Sequence, residues 1–310
     1  MEIDKNILQW PLVGDPAIRW QTMKDLTDAS QSKILSERKK IAVVGWGTKL
    51  ISLQDADGKW AGSLYSRKWI STTYTMLLLK NLGLLPSNKQ ALKSCKILID
   101  EGFYKDGGIN YFGSLKHSET CVTGMILSIL SYFNLEDERL EALVQYLLKQ
   151  QMKDGGWNCQ SFRGATHSSF HTTISVLEGL NEYQKFSDRL NKTIEISINK
   201  GIEFLLKHNL YKSHRTGKIV DGRMTRFSFP TRWRYDVLRA LDFLQEYNVP
   251  KDDGMNEAIE LVLKRRDKDG KWKLQNRHSG KTFFEMEKVS KPSRWNTLRA
   301  LRVLKWWESN

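Results

Sequence analysis

One short frame recurs along the chain and constrains its fold more than any other feature. Q-D-A-D-G-K-W (54–60), Q-M-K-D-G-G-W (151–157) and R-D-K-D-G-K-W (266–272) share it, and Y-K-D-G-G-I (104–109) is a weaker copy between the first two. The period is about 50 residues and lengthens toward the C-terminus, as in repeat architectures. Asp-Gly supplies the tight turn with positive φ that ends a helix, and the Trp that follows can fold back over the helix it has left.

Six related apolar segments alternate with these turns. They are P-A-I-R-W-Q-T-M-K-D-L (16–26), W-I-S-T-T-Y-T-M-L-L-L-K-N-L (69–82), S-E-T-C-V-T-G-M-I-L-S-I-L (118–130), S-F-H-T-T-I-S-V-L-E-G-L (169–180), R-W-R-Y-D-V-L-R-A-L-D-F-L (232–244) and R-W-N-T-L-R-A-L-R-V-L (294–304). Most open at or just after Pro, Ser or Thr and continue with helical apolar spacing. More charged, amphipathic helices are predicted between them, at 33–44, 89–100, 137–150, 192–207 and 256–265. Strand patterns are scarce. The expected fold is all-α: an α/α toroid of the α6/α6 type, with about six inner and five to six outer helices, forming one domain over 1–310. The first inner segment so matches the last that the two are expected side by side, closing the barrel.

A hydrophobic content of 40% supports a substantial core. No run is long enough to span a bilayer and the first ten residues do not form a secretory signal, so a cytoplasmic location is expected, with peripheral membrane association left open. Cys95, Cys121 and Cys159 are odd in number and form no C-x-x-C pair, which suits a reducing compartment. The net charge of +14 suits nucleic acid, an anionic membrane or a polyanionic small substrate such as a diphosphate. The basic residues are spread through helices without a zinc knuckle, P-loop or RNP-like strand, which argues against nucleic acid.

The Q-x-x-x-G-x-W frames resemble the QW repeats of squalene and other triterpene cyclases, whose toroids are shared with the β subunits of protein prenyltransferases. The resemblance covers residues 15–309 as architecture, and repeats of this kind specify fold better than function. Aligning the inner helices on their apolar frames puts Thr73, Cys121, His171, Tyr235 and Trp295 at one level, with Trp20 from the first segment. Two residues earlier, Glu119 is the one carboxylate. A carboxylate, a thiol and an imidazole are zinc donors, and three such ligands leave an open position for chemistry. Prenyltransferase β subunits hold zinc with Asp-x-Cys and a later His, which E-T-C (Glu119, Cys121) and S-F-H (His171) resemble. Glu stands for Asp, Lys116 matches the family's diphosphate lysine, and the family's arginine and tyrosine positions are Gly113 and Val122. A rival set joins Cys159 and His167 to His171. Cys121 as a packed thiol and His171 as a core histidine are the structural alternatives.

The resemblance implies an enzyme, prenyltransferase-like or terpenoid-cyclase-like, that binds an isoprenoid diphosphate in the lumen beside a zinc ion activating a nucleophile. Arg234, Arg239, Arg294 and Arg299 suit the diphosphate, with salt bridges to Asp236, Asp242 or Glu285 as their alternative. Tyr74, Trp233, Tyr235, Trp295 and Trp20 suit the chain, with core packing as theirs. No Asp-x-Asp-Asp cluster of protonating cyclases is present. The alternatives are a non-catalytic toroid that binds a ligand or protein, and another zinc toroid enzyme such as a lanthionine cyclase, whose Cys-His-Gly signature is missing. A partner subunit is not specified by this sequence.

Overall fold

A computed structural model describes residues 4–309. Its regular elements are α1 (Lys5–Leu12), α2 (Pro16–Leu26), α3 (Gln31–Lys39), α4 (Gly45–Ile51), α5 (Thr72–Leu82), α6 (Lys89–Asp100), α7 (Thr120–Tyr132), α8 (Arg139–Lys149), α9 (Phe170–Phe186), α10 (Asn191–Lys207), α11 (Val237–Glu246), α12 (Asn256–Lys264) and α13 (Arg294–Ser309), with short 3-10 turns. The fold is all-α; among the described residues β pairing is confined to isolated bridges at turns. No helix of the described residues is long and apolar enough to cross a membrane.

The six expected inner helices are α2, α5, α7, α9, α11 and α13, and the five outer ones are α3, α6, α8, α10 and α12. Two helices were not anticipated. α1 carries Pro11 in its last turn and α4 opens on Gly-Trp-Gly, so local preference for either is weak and packing decides. α11 starts later than its apolar pattern suggests, because Asp236 caps it by accepting the Arg239 N–H. Trp233, Arg234 and Tyr235 therefore precede the helix instead of riding on it.

The described chain divides into two compact units. Unit 1 comprises Met1–Ser52, Asn81–Leu85 and Leu206–Asn310; unit 2 comprises Leu53–Lys80 and Pro86–Leu205. In unit 1, α2 and α13 lie side by side as the matching sequences suggest: Arg302 reaches Gln21 Oε1 at 3.2 Å and Asp25 Oδ2 at 3.1 Å. In unit 2, α7 and α9 are buried along most of their length, while α6 and α8 bury one stripe each. That difference separates an inner layer from an outer one.

The glycine turns share one construction. Gly58, Gly107, Gly155 and Gly270 have φ of +95°, +87°, +94° and +76°. Two residues on, the N–H groups of Trp60, Ile109, Trp157 and Trp272 each donate at 3.0 Å to a threonine hydroxyl in the first turn or so of the next inner helix: Thr72, Thr123, Thr173 and Thr297. The indoles of Trp157 and Trp272 fold back as expected, donating to Leu147 O at 2.8 Å and Val262 O at 2.7 Å. The Gln151 amide donates to Gly155 O and Ser197 O, tying its turn to α10. Each turn thus leads to the next inner helix start, three of them from the outer helices α6, α8 and α12 and the first from α4.

Two glycines bring α7 and α9 into backbone contact. A Cβ on Gly124 would lie 2.8 Å from Ser175 O and 2.9 Å from Val176 Cα, and one on Gly179 would lie 2.5 Å from Gly124 O. Glycine inside a helix costs about 1 kcal/mol relative to alanine, so Gly124→Ala would stabilise an isolated α7. Here the clash with rigid backbone outweighs that gain, and the substitution is expected to cost about 1–3 kcal/mol. Urea unfolding of Gly124→Ala beside Gly113→Ala, whose Cβ would meet nothing within 4 Å, measures the difference; a stabilised Gly124→Ala would rule out the contact.

Candidate functional site

The candidate site lies in unit 2, at the N-terminal ends of α7 and α9. Glu119 is the N-cap residue of α7, yet its carboxylate makes no capping bond. Its backbone is pinned instead: the N–H donates to Ile109 O at 3.1 Å and the carbonyl accepts from Thr123 N at 2.9 Å. Standing before the first helical turn, Glu119 escapes the opposed directions of positions i and i+2. Ser118, the expected cap, is held by Asp106, which accepts from its N–H and its hydroxyl.

Cys121 is the second residue of α7. Cys159 follows Trp157 in the loop before α9, and its N–H donates to Thr172 Oγ1 at 3.3 Å. The neighbouring Cys121 thiol, aided by Thr172 and Gln160 against the cost of burial, lowers the Cys159 thiol to about 6. The Cys121 thiol is pushed well above the ordinary range by the neighbouring Cys159 and by burial. Burial, then the charge of Cys159, raises the Glu119 carboxyl, while Lys68 and Arg163 oppose the rise.

An aromatic group adjoins these residues. Tyr65 packs on Tyr74 with centroids 5.2 Å apart and meets Phe112 edge-on at 5.4 Å, and Trp69 meets Tyr74 edge-on at 4.7 Å. Lys68 Nζ lies 5.5 Å from the Tyr65 ring. Burial raises the Tyr65 phenol, and the charges of Cys121, Glu119 and Cys159 raise it further, which places the ring beside them. Of the expected chain-binding aromatics, Tyr74 belongs to this group. Tyr65 and Lys68 were missed, though a signal existed: Lys68 stands five residues before Thr73, as Lys116 stands five before Cys121. Arg163 carried no such signal, since a loop puts it there. Lys116 is exposed on the 113–117 loop.

Among the described residues no three His, Cys, Asp or Glu side chains gather as a group able to hold a metal ion. Glu119, Cys121 and His171 therefore do not form the expected ligand triad in this structure, and the rival set does not form either. His167 is exposed and pairs with Thr166 Oγ1 at 2.8 Å, while His171 is half-buried in the first turn of α9.

The expected arginines and the remaining aromatics lie in unit 1, where most are engaged within the protein. Arg299 donates to Asp242 Oδ2 at 3.2 Å and Ser228 O at 3.1 Å, and Arg239 donates to Arg234 O at 2.8 Å. Burial alone would raise the Asp242 carboxyl, but Arg302 and Arg299 hold it below its ordinary range. Arg294 lies 4.6 Å from the Trp10 ring and donates to Trp10 O, and Arg234 lies 4.6 Å from the Trp233 ring. Trp20 donates to Leu82 O, Tyr235 donates to Leu210 O, and Trp295 stacks on Phe229 at 4.1 Å. For Arg299 the salt-bridge alternative describes the contacts.

No family profile matches the sequence, and no curated protein matches it. Among solved structures the chain is similar to two substituted variants of the type II terpene cyclase MstE from Scytonema, one in complex with its product merosterolic acid A and one with its substrate geranylgeranyl dihydroxybenzoate. Identity is 14% in both, over 94% of this chain and 86% and 84% of theirs, with TM-scores of 0.47 and 0.46.

The thiol pair predicts a pH dependence. Alkylation of Cys159 by iodoacetamide should rise with a midpoint near pH 6, and Cys121→Ala, which removes the neighbouring thiol, should move that midpoint upward. A thiol depressed by folding adds stability that is fully present above its unfolded value near 9 and is lost as pH falls through about 6. Wild type should therefore gain stability over Cys159→Ala between those limits, as urea unfolding at stepped pH would show. An unchanged midpoint in Cys121→Ala would sink the assignment.

Proposed function

We propose that the chain is an enzyme of isoprenoid chemistry, prenyltransferase-like or terpenoid-cyclase-like, and that unit 2 binds the isoprenoid. The observation that carries this reading is the aromatic group of Tyr65, Trp69, Tyr74 and Phe112 beside a buried carboxyl, with Lys68 and Arg163 close by. Aromatic faces suit an isoprenoid chain and stabilise cations that develop along it. The two cations, with the N-terminal ends of α7 and α9, suit a diphosphate. The QW-like turns agree with this class. Lys68 replaces Lys116 and the unit 1 arginines as the proposed diphosphate contact.

Glu119 is the group able to hold and move a proton. Its raised carboxyl keeps a larger neutral fraction near neutral pH than an ordinary glutamate does, as a general acid requires. It would donate a proton to an alkene of the chain, or take one from a cation once ionised. The aromatic wall keeps water from that cation. Zinc has no step in this reading, because its donors do not gather.

Calorimetry with geranyl, farnesyl and geranylgeranyl diphosphate tests it. Binding at micromolar concentration is expected, with Lys68→Ala weakening it about tenfold through loss of a charged contact. Glu119→Gln should retain binding and lose turnover, read by product analysis. Absence of binding to every diphosphate would overturn the proposal. Elemental analysis of the same protein is expected to give less than one equivalent of zinc; a full equivalent lost in both Cys121→Ala and His171→Ala would restore the metal triad.

A further inference from the structure

Unit 1 holds a pair of histidines that the isoprenoid reading does not use. α10 ends at Lys207, and His208 follows it. The His208 carbonyl accepts the N–H groups of Tyr211 at 3.0 Å and Lys212 at 2.7 Å, which turns the chain at the helix end. Residues 211–220 then run out and back. The Val220 N–H donates to Tyr211 O at 3.0 Å, the Ser213 N–H donates to Lys218 O at 2.8 Å, and Lys212 bridges to Ile219. Glu257, in the first turn of α12, accepts from the Asn209 amide and from the Lys212 ammonium and so fixes the base of this loop. The anchored backbone returns the His214 ring to His208. His208 Nε2 and His214 Nδ1 lie 2.9 Å apart, and the rings cross at 85° with centroids 4.7 Å apart.

That separation serves a hydrogen bond when one facing nitrogen carries a proton, and it also suits an ion held by both. Two nitrogens about 2.0–2.1 Å from one ion are about 2.9 Å apart when they subtend a right angle, and about 3.4 Å apart at the tetrahedral angle. The right angle is that of neighbouring ligands in square-planar and tetragonal complexes of Cu(II) and Ni(II), to which imidazole is well matched. Magnesium and calcium take oxygen ligands instead. Among the described residues no third His, Cys, Asp or Glu joins the pair as a metal-holding group, so water completes the coordination.

We infer that His208 and His214 chelate one divalent transition-metal ion of the nickel or copper type, which clamps the 211–220 loop to the end of α10. The ring that carries the shared proton passes it, through water, to its own second nitrogen, and both facing lone pairs then point at the ion. Coordination turns the rings off the line that joins the two nitrogens, a motion open to His214, which is exposed, and to half-buried His208. A protonated imidazole cannot bind, so affinity falls as pH falls. Glu119, Cys121 and His171 take no part, and the inference stands apart from the isoprenoid reading.

The test uses the untagged full chain, stripped with a chelator and dialysed, with NiCl2 as the probe because nickel does not oxidise the thiols. Calorimetry at about pH 7.5, above the ordinary histidine value, should give one equivalent bound with a Kd of about 10 µM or tighter, and no binding of MgCl2. His208→Ala and His214→Ala should each weaken binding about tenfold or more, while His167→Ala, which removes an exposed histidine of unit 2, should match wild type. Imidazole 15N spectra should broaden first at His208 and His214, and nickel should raise the Tm of wild type but not of either variant. The inference is overturned if wild type needs more than about 100 µM nickel, if either variant binds as wild type does, or if Cys121→Ala loses the ion while His214→Ala keeps it. Circular dichroism confirms that each variant is folded, and prenyl diphosphate binding on the same samples reports on the other reading separately.

Discussion

The backbone contact between α7 and α9 fixes the spacing on which the candidate site depends. With glycine at 124 and 179, each helix passes where a side chain would otherwise stand. Any larger residue would push the helices apart, and Cys121, at the start of one, would withdraw from Thr172, at the start of the other. Thr172 in turn anchors the N–H of Cys159. The spacing of the two helix starts, one of which anchors Cys159, therefore depends on two missing Cβ atoms several residues further along the helices.

The glycine turns supply the second constraint. By linking the residue after each turn to a threonine of the next inner helix, they deliver those helix starts in a common way. In two of them an Asp of the turn also holds the Ser just ahead of the helix, as Asp106 holds Ser118 and Asp154 holds Ser168. Ser118 is then not available to cap α7, and Glu119 takes the cap position with its carboxylate directed elsewhere. Burial and a neighbouring sulfur make that carboxyl unlike a surface glutamate.

Charge is placed differently in the two units. In unit 1 the guanidiniums of buried Arg299 and half-buried Arg302 neutralise Asp242 and Asp25, a use of arginine that leaves little capacity for an outside anion. In unit 2, Lys68 and Arg163 come near Glu119 without extinguishing the effect of burial. Counting arginines on inner helices says nothing of where the acids that engage them lie.

The amino-acid order alone determined the helical class, the alternation of inner and outer helices, the turn at each Asp-Gly and the return of Trp157 and Trp272 over the helices they leave. Those are consequences of local periodicity and turn chemistry, which act over fewer than about a dozen residues and so are written in the sequence. Glu119, Cys121 and Tyr74, singled out in the sequence, all lie in unit 2. The late start of α11, the nearness of Cys159 to Cys121, and the arrival of Tyr65, Lys68 and Arg163 near Glu119 were not determined by that order alone. Each depends on distances between segments tens of residues apart, set by how closely two helices pack and how a loop folds over them. Only the tertiary structure decides such distances, because a change of one side chain's width at a helix contact alters which donors meet.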